Sequence, residues 1–371
     1  MPDLAPALQP FLLAGASLVA GAGLPALLAY RGSRRQSLFP RAAPWPIVWN
    51  GWAVLVACLF VFIIPSLIQS LLSSGGFYQA IYGPAFPQPA PDDWRFPERL
   101  QDVHLRGLWS QTLAVPFQLF FLVAGFVYGL NATWSQIGLP RGRLRQNYVL
   151  GYLGWLVLTP LCFGLFMLAV VLLAPNAQKH PLMDLGPLAG RRELIVFALQ
   201  AALLVPILEE FVFRGLLLPW LLEDPKGETP VREAIVPPAQ RGHVCYGIAF
   251  FLSLQSPALT EAYQQGNWPE VFRNLAPIYF LLAMLPIYLF APFAGGWRRR
   301  LKVPTPQAAR ALLANAILFA AVHSNVWPTP IPLVVLGFGL AWLSFRTRSI
   351  VPGIVVHALF NSVAVVYMFA A

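Results

Sequence analysis

The amino-acid sequence predicts an all-α fold, a polytopic membrane helix bundle of eight to ten transmembrane helices around a buried polar site. Of the 371 residues, 57% are hydrophobic and only 11% are charged, and the mean hydropathy is +0.62. A soluble domain would carry about 25% charged residues. The apolar runs are long and continuous, whereas a membrane β-barrel shows short segments of alternating polarity. One apolar run, 203–220, contains three charged side chains, and these predict the polar site.

The charge and the cysteines narrow the class of protein further. The net charge is +10, but the Arg residues cluster in short connections, as in the cytoplasmic loops of membrane proteins, so we predict no nucleic-acid partner. Cys58, Cys162 and Cys245 lie in or beside apolar runs without a CxxC pattern, and they predict neither a disulfide nor a zinc site. The first ten residues lack Lys and Arg, so we interpret the first apolar run as a retained span rather than a signal peptide.

The N-terminal region, 1–130, is predicted to hold three membrane helices and one external loop. The predicted spans are at about 8–30, 47–72 and 108–130. Four Arg residues follow the first span and place that connection on the cytoplasmic side. A Pro-rich polar connection at about 73–106 separates the second and third spans, and we interpret it as an external loop or cap.

The second region, 131–371, is predicted to be the functional core. Its spans are predicted at about 148–173, 194–222, 306–323, 331–345 and 350–371. A segment at about 224–305 is interpreted as an insertion, and it contains two further apolar runs, 244–259 and 275–293. The first of these runs is shorter than the ~20 residues that a spanning helix needs, so it could be re-entrant.

Three charges in the middle of the fifth span are the first candidate site residues. Glu209, Glu210 and Arg214 are otherwise surrounded by apolar residues, and each unpaired charge at this depth costs about 2.5–3.5 kcal/mol. Glu210 and Arg214 are four residues apart, the favoured spacing for an ion pair on one helix face. Glu209 is turned about 100° away from Glu210, so we expect it to find its partner elsewhere in the chain.

Two histidines and one asparagine are the candidate partners. Of the five histidines, His323 and His357 lie in apolar helices, and Asn361 follows His357 by one helical turn. A histidine can act as a general acid or base or bind a metal, but taken singly each is more often a hydrogen-bonded core residue. His357 and Asn361 together could offer two donors to one oxyanion, although hydrogen bonding between helices is a common alternative for such pairs.

Three classes of function fit these polar groups. The first is an intramembrane endopeptidase, the second a transporter or channel that uses the Glu and His residues as a proton relay, and the third a scaffold whose polar core fixes helix packing. No inverted repeat or matching pair of broken helices is present, which disfavours a transporter. The sequence has no HExxH, and GFGL at Gly337–Leu340 lacks the Asp of an aspartyl intramembrane protease.

Three short motifs in order resemble a known family. These are EEFVFRG at Glu209–Gly215, FAAVH at Phe319–His323 and HALFN at His357–Asn361. Together they resemble the CAAX prenyl endopeptidase and bacteriocin-processing family, called CPBP or Abi, from about residue 189 to the C-terminus. The resemblance implies a bundle of about eight membrane helices with the site buried inside. The first two motifs are about one hundred residues apart, which is longer than the family pattern and is the basis for the predicted insertion.

The family resemblance also implies a role for each candidate. Glu209 and His323 would hold and activate the attacking water, and His357 and Asn361 would stabilise the oxyanion. Glu210 and Arg214 would orient the site. The expected activity is hydrolysis of a peptide bond in a hydrophobic or lipid-anchored peptide or protein. The expected surroundings are membrane lipid, in the cytoplasmic membrane of a bacterium.

The remaining question at the sequence level is whether the site holds a metal. Glu209, His323 and His357 form a Glu–His₂ set, which is sufficient for catalytic zinc. Asn361 is a poor zinc ligand, and the positive charge of Arg214 close to Glu210 would repel a cation. We therefore predict a mechanism without a cofactor, in which Glu209 and His323 polarise water directly, and keep zinc as the alternative.

Overall fold

The part of the chain that the structure describes folds into helices. The computed structural model describes residues 39, 45–83, 97–140, 142–173, 190–223 and 236–370. The described helices are α1 (Gly51–Ser74), α2 (Phe77–Tyr82), α3 (Pro97–Ala124), α4 (Leu144–Leu173), α5 (Arg191–Leu222), α6 (Pro238–Ser253), α7 (Pro257–Gln264), α8 (Trp268–Asn274), α9 (Ala276–Phe290), α10 (Gly295–Leu301), α11 (Pro306–Ala321), α12 (Pro330–Thr347) and α13 (Val351–Ala370). Within these ranges no β-strand occurs, so the predicted all-α class is confirmed for the described residues.

The protein is a multi-pass membrane protein. Six described stretches are long and apolar enough to cross a bilayer: α1, Leu105–Gly129, α4, α5, Ala276–Phe293 and α12. The helices α6 and α11 have 16 residues each and are shorter than these. The predicted first span, 8–30, lies outside the described residues. The predicted total of eight to ten spans therefore stays a prediction beyond these six.

The predicted external loop or cap at about 73–106 contains helical residues, and its placement outside the membrane stays a prediction. The helix α2 lies inside that range, and α3 begins at Pro97 rather than near residue 108. Proline is favoured in the first turn of a helix, and the Glu, Arg, Leu and Gln residues that follow are good helix formers. The α2 helix is held against α3 and α5, because Trp109 Nε1 donates to the Tyr82 hydroxyl (2.7 Å) and that hydroxyl donates to Glu193 Oε1 (3.1 Å).

The helix α5 carries the acidic pair and is not a regular α-helix. Its turns widen to π-helix at Gln200–Leu204 and again at Phe211–Leu217, with an α-helical segment, Val205–Glu210, between them. Pro206 follows the first wide turn directly, and a proline inside a helix removes one backbone donor. Such π-turns inside α-helices are frequent at functional sites.

The centre of the bundle is α11, which is buried along almost its whole length. It packs against α6 on one side and α12 on the other, while α4 packs against α12 and α13. The close approach of α4 to α13 depends on Gly151, where a Cβ atom would lie 2.6 Å from Val355 Cβ and 2.8 Å from the Pro352 carbonyl oxygen. Small residues commonly permit such contacts in membrane bundles.

The apolar run at 244–259 does not form one helix but is divided between α6 and α7. The helix α6 begins at Pro238 and ends at Ser253, and a separate helix, α7, begins at Pro257. The residue before a proline avoids the helical region, and Ser256 is extended with ψ 122°. The proline therefore separates the two helices, and α6 remains shorter than a standard span.

Candidate active site

The predicted ion pair inside α5 is present and fully buried. Arg214 Nη1 lies 2.9 Å from Glu210 Oε1, and both side chains have 0% exposure. Arg214 Nη2 also donates to the Gly337 carbonyl oxygen of α12 (3.3 Å). The guanidinium carbon lies 4.3 Å from the centroid of the Phe319 ring, within the range of a cation–π contact. The pair is therefore held by α5, α11 and α12 together.

His357 of α13 lies between the two carboxylates. Its Nδ1 is 3.2 Å from Glu210 Oε1, and its Nε2 is 3.6 Å from Glu209 Oε2. A carboxylate oxygen can only accept, so Nδ1 carries a proton and donates it to Glu210. His357 is buried, with 4% exposure.

His323 approaches Glu209 from the other side and is more open. Its Nδ1 is 2.9 Å from the Phe319 carbonyl oxygen, so Nδ1 carries the donated proton. Its Nε2 faces Glu209 Oε1 at 3.9 Å, which is too long for a direct hydrogen bond. In neutral His323 that nitrogen is an acceptor, so two acceptors face each other across the gap. The His323 side chain is 33% exposed, whereas that of His357 is 5% exposed.

Glu209 and His323 open onto a large cavity. The cavity has a volume of about 1350 Å³, and its described lining includes Glu209 and His323 but not His357, Glu210 or Arg214. Most of its wall is apolar and comes from α1, α3, α5 and α6. The site thus has an accessible part, Glu209 with His323, and a buried part behind it.

Asn361 has a different contact from the other candidates. Its Nδ2 donates to the Ala201 carbonyl oxygen (2.9 Å), which lies in the first π-turn of α5. A widened turn leaves carbonyl groups that need new donors, and this bond meets such a need. The predicted oxyanion role of Asn361 stays a prediction, because its amide nitrogen is already engaged.

One contributor to the site was not singled out in the sequence. Asn315 of α11 is fully buried, and its Nδ2 donates to the Phe213 carbonyl oxygen (2.8 Å) in the second π-turn of α5. This bond ties α11, which leads to His323, to the segment of α5 between Glu210 and Arg214. The available signal was an asparagine inside the apolar run 311–322, the same type of signal that pointed to Glu209 and Glu210.

The residues that could hold a metal are Glu209, His323 and His357. The two imidazole Nε2 atoms face different oxygens of the Glu209 carboxylate, at 3.9 and 3.6 Å. In the part of the chain that the structure describes, no group of three His, Cys, Asp or Glu residues has the spacing of a metal site.

Replacing Gly353 with Ala is expected to disturb the buried half of the site. A Cβ atom at this position of α13 would lie 2.3 Å from Glu210 Oε2, so the carboxylate or the helix must move. Overpacking of this kind costs about 1–3 kcal/mol. We expect Gly353→Ala to lower both the thermal midpoint and the activity. The control is Gly164→Ala in α4, where nothing lies within 4 Å of the added atom, and an unchanged Gly353→Ala protein would contradict the expectation.

A comparison with known protein families matches the part of the chain that contains the candidate site. Residues 191–363 match the sequence model described as type II CAAX prenyl endopeptidase Rce1-like. The matched range includes all six candidate site residues: Glu209, Glu210, Arg214, His323, His357 and Asn361. Residues 191–363 therefore form a protease domain within a chain that contains several membrane-length helices. This domain belongs to the Rce1-like type II CAAX prenyl endopeptidases, within the CPBP family.

The match confirms the predicted family and the predicted protease class for residues 191–363. It begins at residue 191, close to the predicted start of the resemblance at about residue 189. The division of the chain at residue 131 and the insertion at about 224–305 stay predictions. Comparisons with curated proteins and with solved structures gave no match.

Proposed function

We propose that the protein hydrolyses a peptide bond in a hydrophobic or lipid-anchored peptide, with the attacking water held between Glu209 and His323. The observation that carries this proposal is the pair of acceptors, Glu209 Oε1 and His323 Nε2, that face each other 3.9 Å apart on the cavity wall. A water molecule can donate one hydrogen to each acceptor. Its lone pairs then point away from both groups, toward a substrate carbonyl carbon.

The proposed reaction begins with attack by this water. As the water oxygen bonds to the carbonyl carbon, Glu209 accepts one proton of the water, and the carbonyl oxygen becomes negatively charged. Collapse of this intermediate breaks the C–N bond, and the proton on Glu209 passes to the departing amine. His323 holds the second hydrogen of the water throughout, with its ring oriented by the bond to the Phe319 carbonyl oxygen. General acid–base catalysis of this kind contributes about 10²–10⁴-fold to the rate.

The oxyanion would be stabilised by His357 if substrate binding brings its Nε2 to the cavity, because the described lining of the cavity lacks His357. Its Nδ1–H is already donated to Glu210, so only a protonated ring offers Nε2–H to a substrate oxygen. Asn361 would be the second donor if its amide leaves the Ala201 carbonyl oxygen when substrate binds. Glu210 and Arg214 act as positioning residues, since they contact His357 and the helix backbone rather than the cavity.

The cavity supports a hydrophobic peptide as substrate. Its volume of about 1350 Å³ exceeds the usual 300–1,000 Å³ of small-molecule pockets. Its lining is mainly apolar, with the amide side chains of Gln111 and Gln118 as interruptions on α3. An extended peptide needs both an apolar wall for its side chains and polar groups for its backbone. The family description, a CAAX prenyl endopeptidase, makes a lipid-modified C-terminal tail the first substrate to test.

The test of the proposed function is cleavage by the reconstituted protein. A library of membrane-anchored peptides, including prenylated C-terminal tails, is incubated with wild type and with Glu209→Ala. We expect cleavage by wild type and loss of cleavage in the variant. Equal cleavage by both proteins would contradict the proposed role of Glu209. Comparison of membrane proteins in cells with active and inactive protein should then show the physiological substrate as an accumulated precursor.

Activity is expected to persist after removal of metal. Elemental content and cleavage rate of chelator-washed protein are measured together, before and after addition of zinc. We expect an unchanged rate, because Glu209 and His323 can polarise water by themselves. One zinc per chain, with activity lost on its removal and regained on its return, would overturn this and assign Glu209, His323 and His357 as ligands.

A further inference from the structure

Basic residues from three connections lie together at one end of the bundle. Ile350 N donates to the Gly138 carbonyl oxygen (2.9 Å), and Arg346 Nη1 donates to the Lys302 carbonyl oxygen (3.4 Å). These two bonds bring together the connections that precede α4, α11 and α13. The basic residues described on these connections and the adjoining helix ends are Arg143, Arg145, Arg298, Arg299, Arg300, Lys302, Arg346 and Arg348. We call this surface the basic face.

The stretches of sequence that carry the basic face contain no acidic residue of their own. The sequence contains no Asp or Glu between residues 103 and 183 or between residues 271 and 371, the stretches that build it. Burial, and next the neighbouring Arg346, lower the pKa of Arg348 to about 10, so its guanidinium remains charged at neutral pH. An anion bound from outside the chain would relieve the repulsion between these neighbouring charges.

Arg348 is the most constrained of these residues. Its guanidinium carbon lies 4.9 Å from the Phe345 ring centroid and 5.3 Å from that of Trp45, so aromatic rings fix its position. Its Nε and Nη1 atoms are buried and have no hydrogen-bond partner among the described residues. A buried guanidinium N–H without an acceptor is costly, and an incoming anion would remove that cost. The rest of the side chain is partly exposed, so an anion would reach these two atoms after a shift of the guanidinium group.

The backbone conformation at Arg348 also indicates that its side chain has a role. Arg348 ends α12 in the left-handed conformation, with φ 52°, and Lys302 ends α10 in the same conformation, with φ 55°. Glycine is the residue that this conformation favours at a helix end. Two adjoining helices instead end on a basic side chain. Strain of this kind at a non-glycine residue commonly marks a position whose side chain is used.

We propose that Arg348, with Arg346 and Lys302 beside it, binds a phosphate group, and that this phosphate is the headgroup of an anionic membrane phospholipid. An Arg guanidinium presents a planar fork of N–H donors that matches phosphate oxygens, which a Lys ammonium does not. The basic face lies at the ends of membrane helices, where headgroups are present, and Arg-rich connections face the cytoplasmic leaflet, which carries the anionic lipids. Trp45 lies beside Arg348, and Trp is one of the residues enriched at the membrane–water interface.

The experiment measures lipid binding by the full chain in neutral detergent. Phosphatidylglycerol, phosphatidylcholine or inorganic phosphate is added at constant ionic strength, and the thermal midpoint is followed by the fluorescence of the 12 Trp residues. We expect phosphatidylglycerol to raise the midpoint and phosphatidylcholine to leave it unchanged. Arg348→Gln should weaken the apparent affinity for phosphatidylglycerol about tenfold, since it removes a charge-assisted contact. The matched control is Arg300→Gln, which removes the same charge from an exposed side chain of the same face.

Other results of this experiment would contradict the proposal or change the ligand that it assigns. Equal weakening by Arg348→Gln and Arg300→Gln would overturn it in favour of diffuse surface attraction. A lower basal midpoint in Arg348→Gln with an unchanged lipid response would leave only aromatic stacking as the role of Arg348, and would also overturn it. A midpoint shift with millimolar phosphate as large as that with lipid would keep the phosphate site and assign it to a soluble ligand. If Arg348→Gln does not fold, Arg348→Lys keeps the charge, and unchanged affinity in that variant would contradict recognition by the guanidinium fork.

Discussion

Glu209→Gln and His323→Gln are each expected to lower kcat by about 10²–10⁴-fold, and the double variant by little more than either single variant. The reason is that both residues hold one water, across the 3.9 Å gap between Glu209 Oε1 and His323 Nε2. Once either acceptor is lost, the other no longer has a water to orient. The measurement is single-turnover cleavage of a membrane-anchored peptide by each reconstituted protein.

The control for this cycle is Glu223→Gln. Glu223 lines the same cavity and lies on the end of the same helix, but its carboxylate is paired with Arg241 (2.8 Å) rather than with a histidine. We expect its kcat to be close to that of wild type. Rate losses that multiply in the Glu209→Gln/His323→Gln variant would mean that the two residues act in separate steps, and the shared-water mechanism would be wrong.

Arg214→Met is expected to be the most destabilising single change in the site, with a loss of about 3–5 kcal/mol in the free energy of unfolding. Arg214 and Glu210 have 0% side-chain exposure, so the variant leaves a carboxylate buried with His357 as its remaining described hydrogen-bond donor. The double variant Glu210→Gln/Arg214→Met should lose less, because Gln removes the charge and keeps an acceptor for His357. Unfolding in mixed detergent, followed by fluorescence, measures each loss.

The matched control for the buried pair is Arg273→Met. Arg273 forms an ion pair with Glu270 that is 53% and 30% exposed, and pairs of this kind contribute about 0–1 kcal/mol. A loss in Arg214→Met as small as in this control would mean that water reaches the buried pair. A double variant as unstable as Arg214→Met would mean that packing of the Arg stem, rather than the unpaired charge, determines the loss.

The pairing of Glu210 with Arg214 could be predicted from the sequence because it depends on local geometry. Two side chains four residues apart share a helix face whatever the rest of the chain does. The expectation that Glu209 lies near the histidines rested on the energetic cost of unpaired polar groups in a membrane rather than on helix geometry. Polar groups at membrane depth have no water to bond, so the few that the chain contains are expected to meet. The short distances from Glu209 to His323 and His357 agree with that expectation.

The roles within this cluster depended on contacts between helices that are distant in sequence. Nothing local distinguishes the two histidines, yet packing buries His357 behind Glu209 and leaves His323 open to the cavity. The carbonyl oxygen of Phe319 and the carboxylate of Glu210 determine which ring nitrogen of each histidine carries its proton. Asn361 bonds to a carbonyl group that the first π-turn of α5 presents, and no periodicity rule predicts that turn.

The sequence alone determined that this protein has membrane-length apolar helices and that its few charged residues at that depth should lie together, because composition and helical spacing carry those properties. Tertiary structure decided that α1 and α3, outside the matched domain, form part of the wall of the cavity onto which Glu209 and His323 open. It also decided that Gly353 must lack a side chain, since Glu210 occupies that space. These features depend on how apolar helices pack, and many apolar faces satisfy the same hydrophobic pattern, so only the folded arrangement selects one.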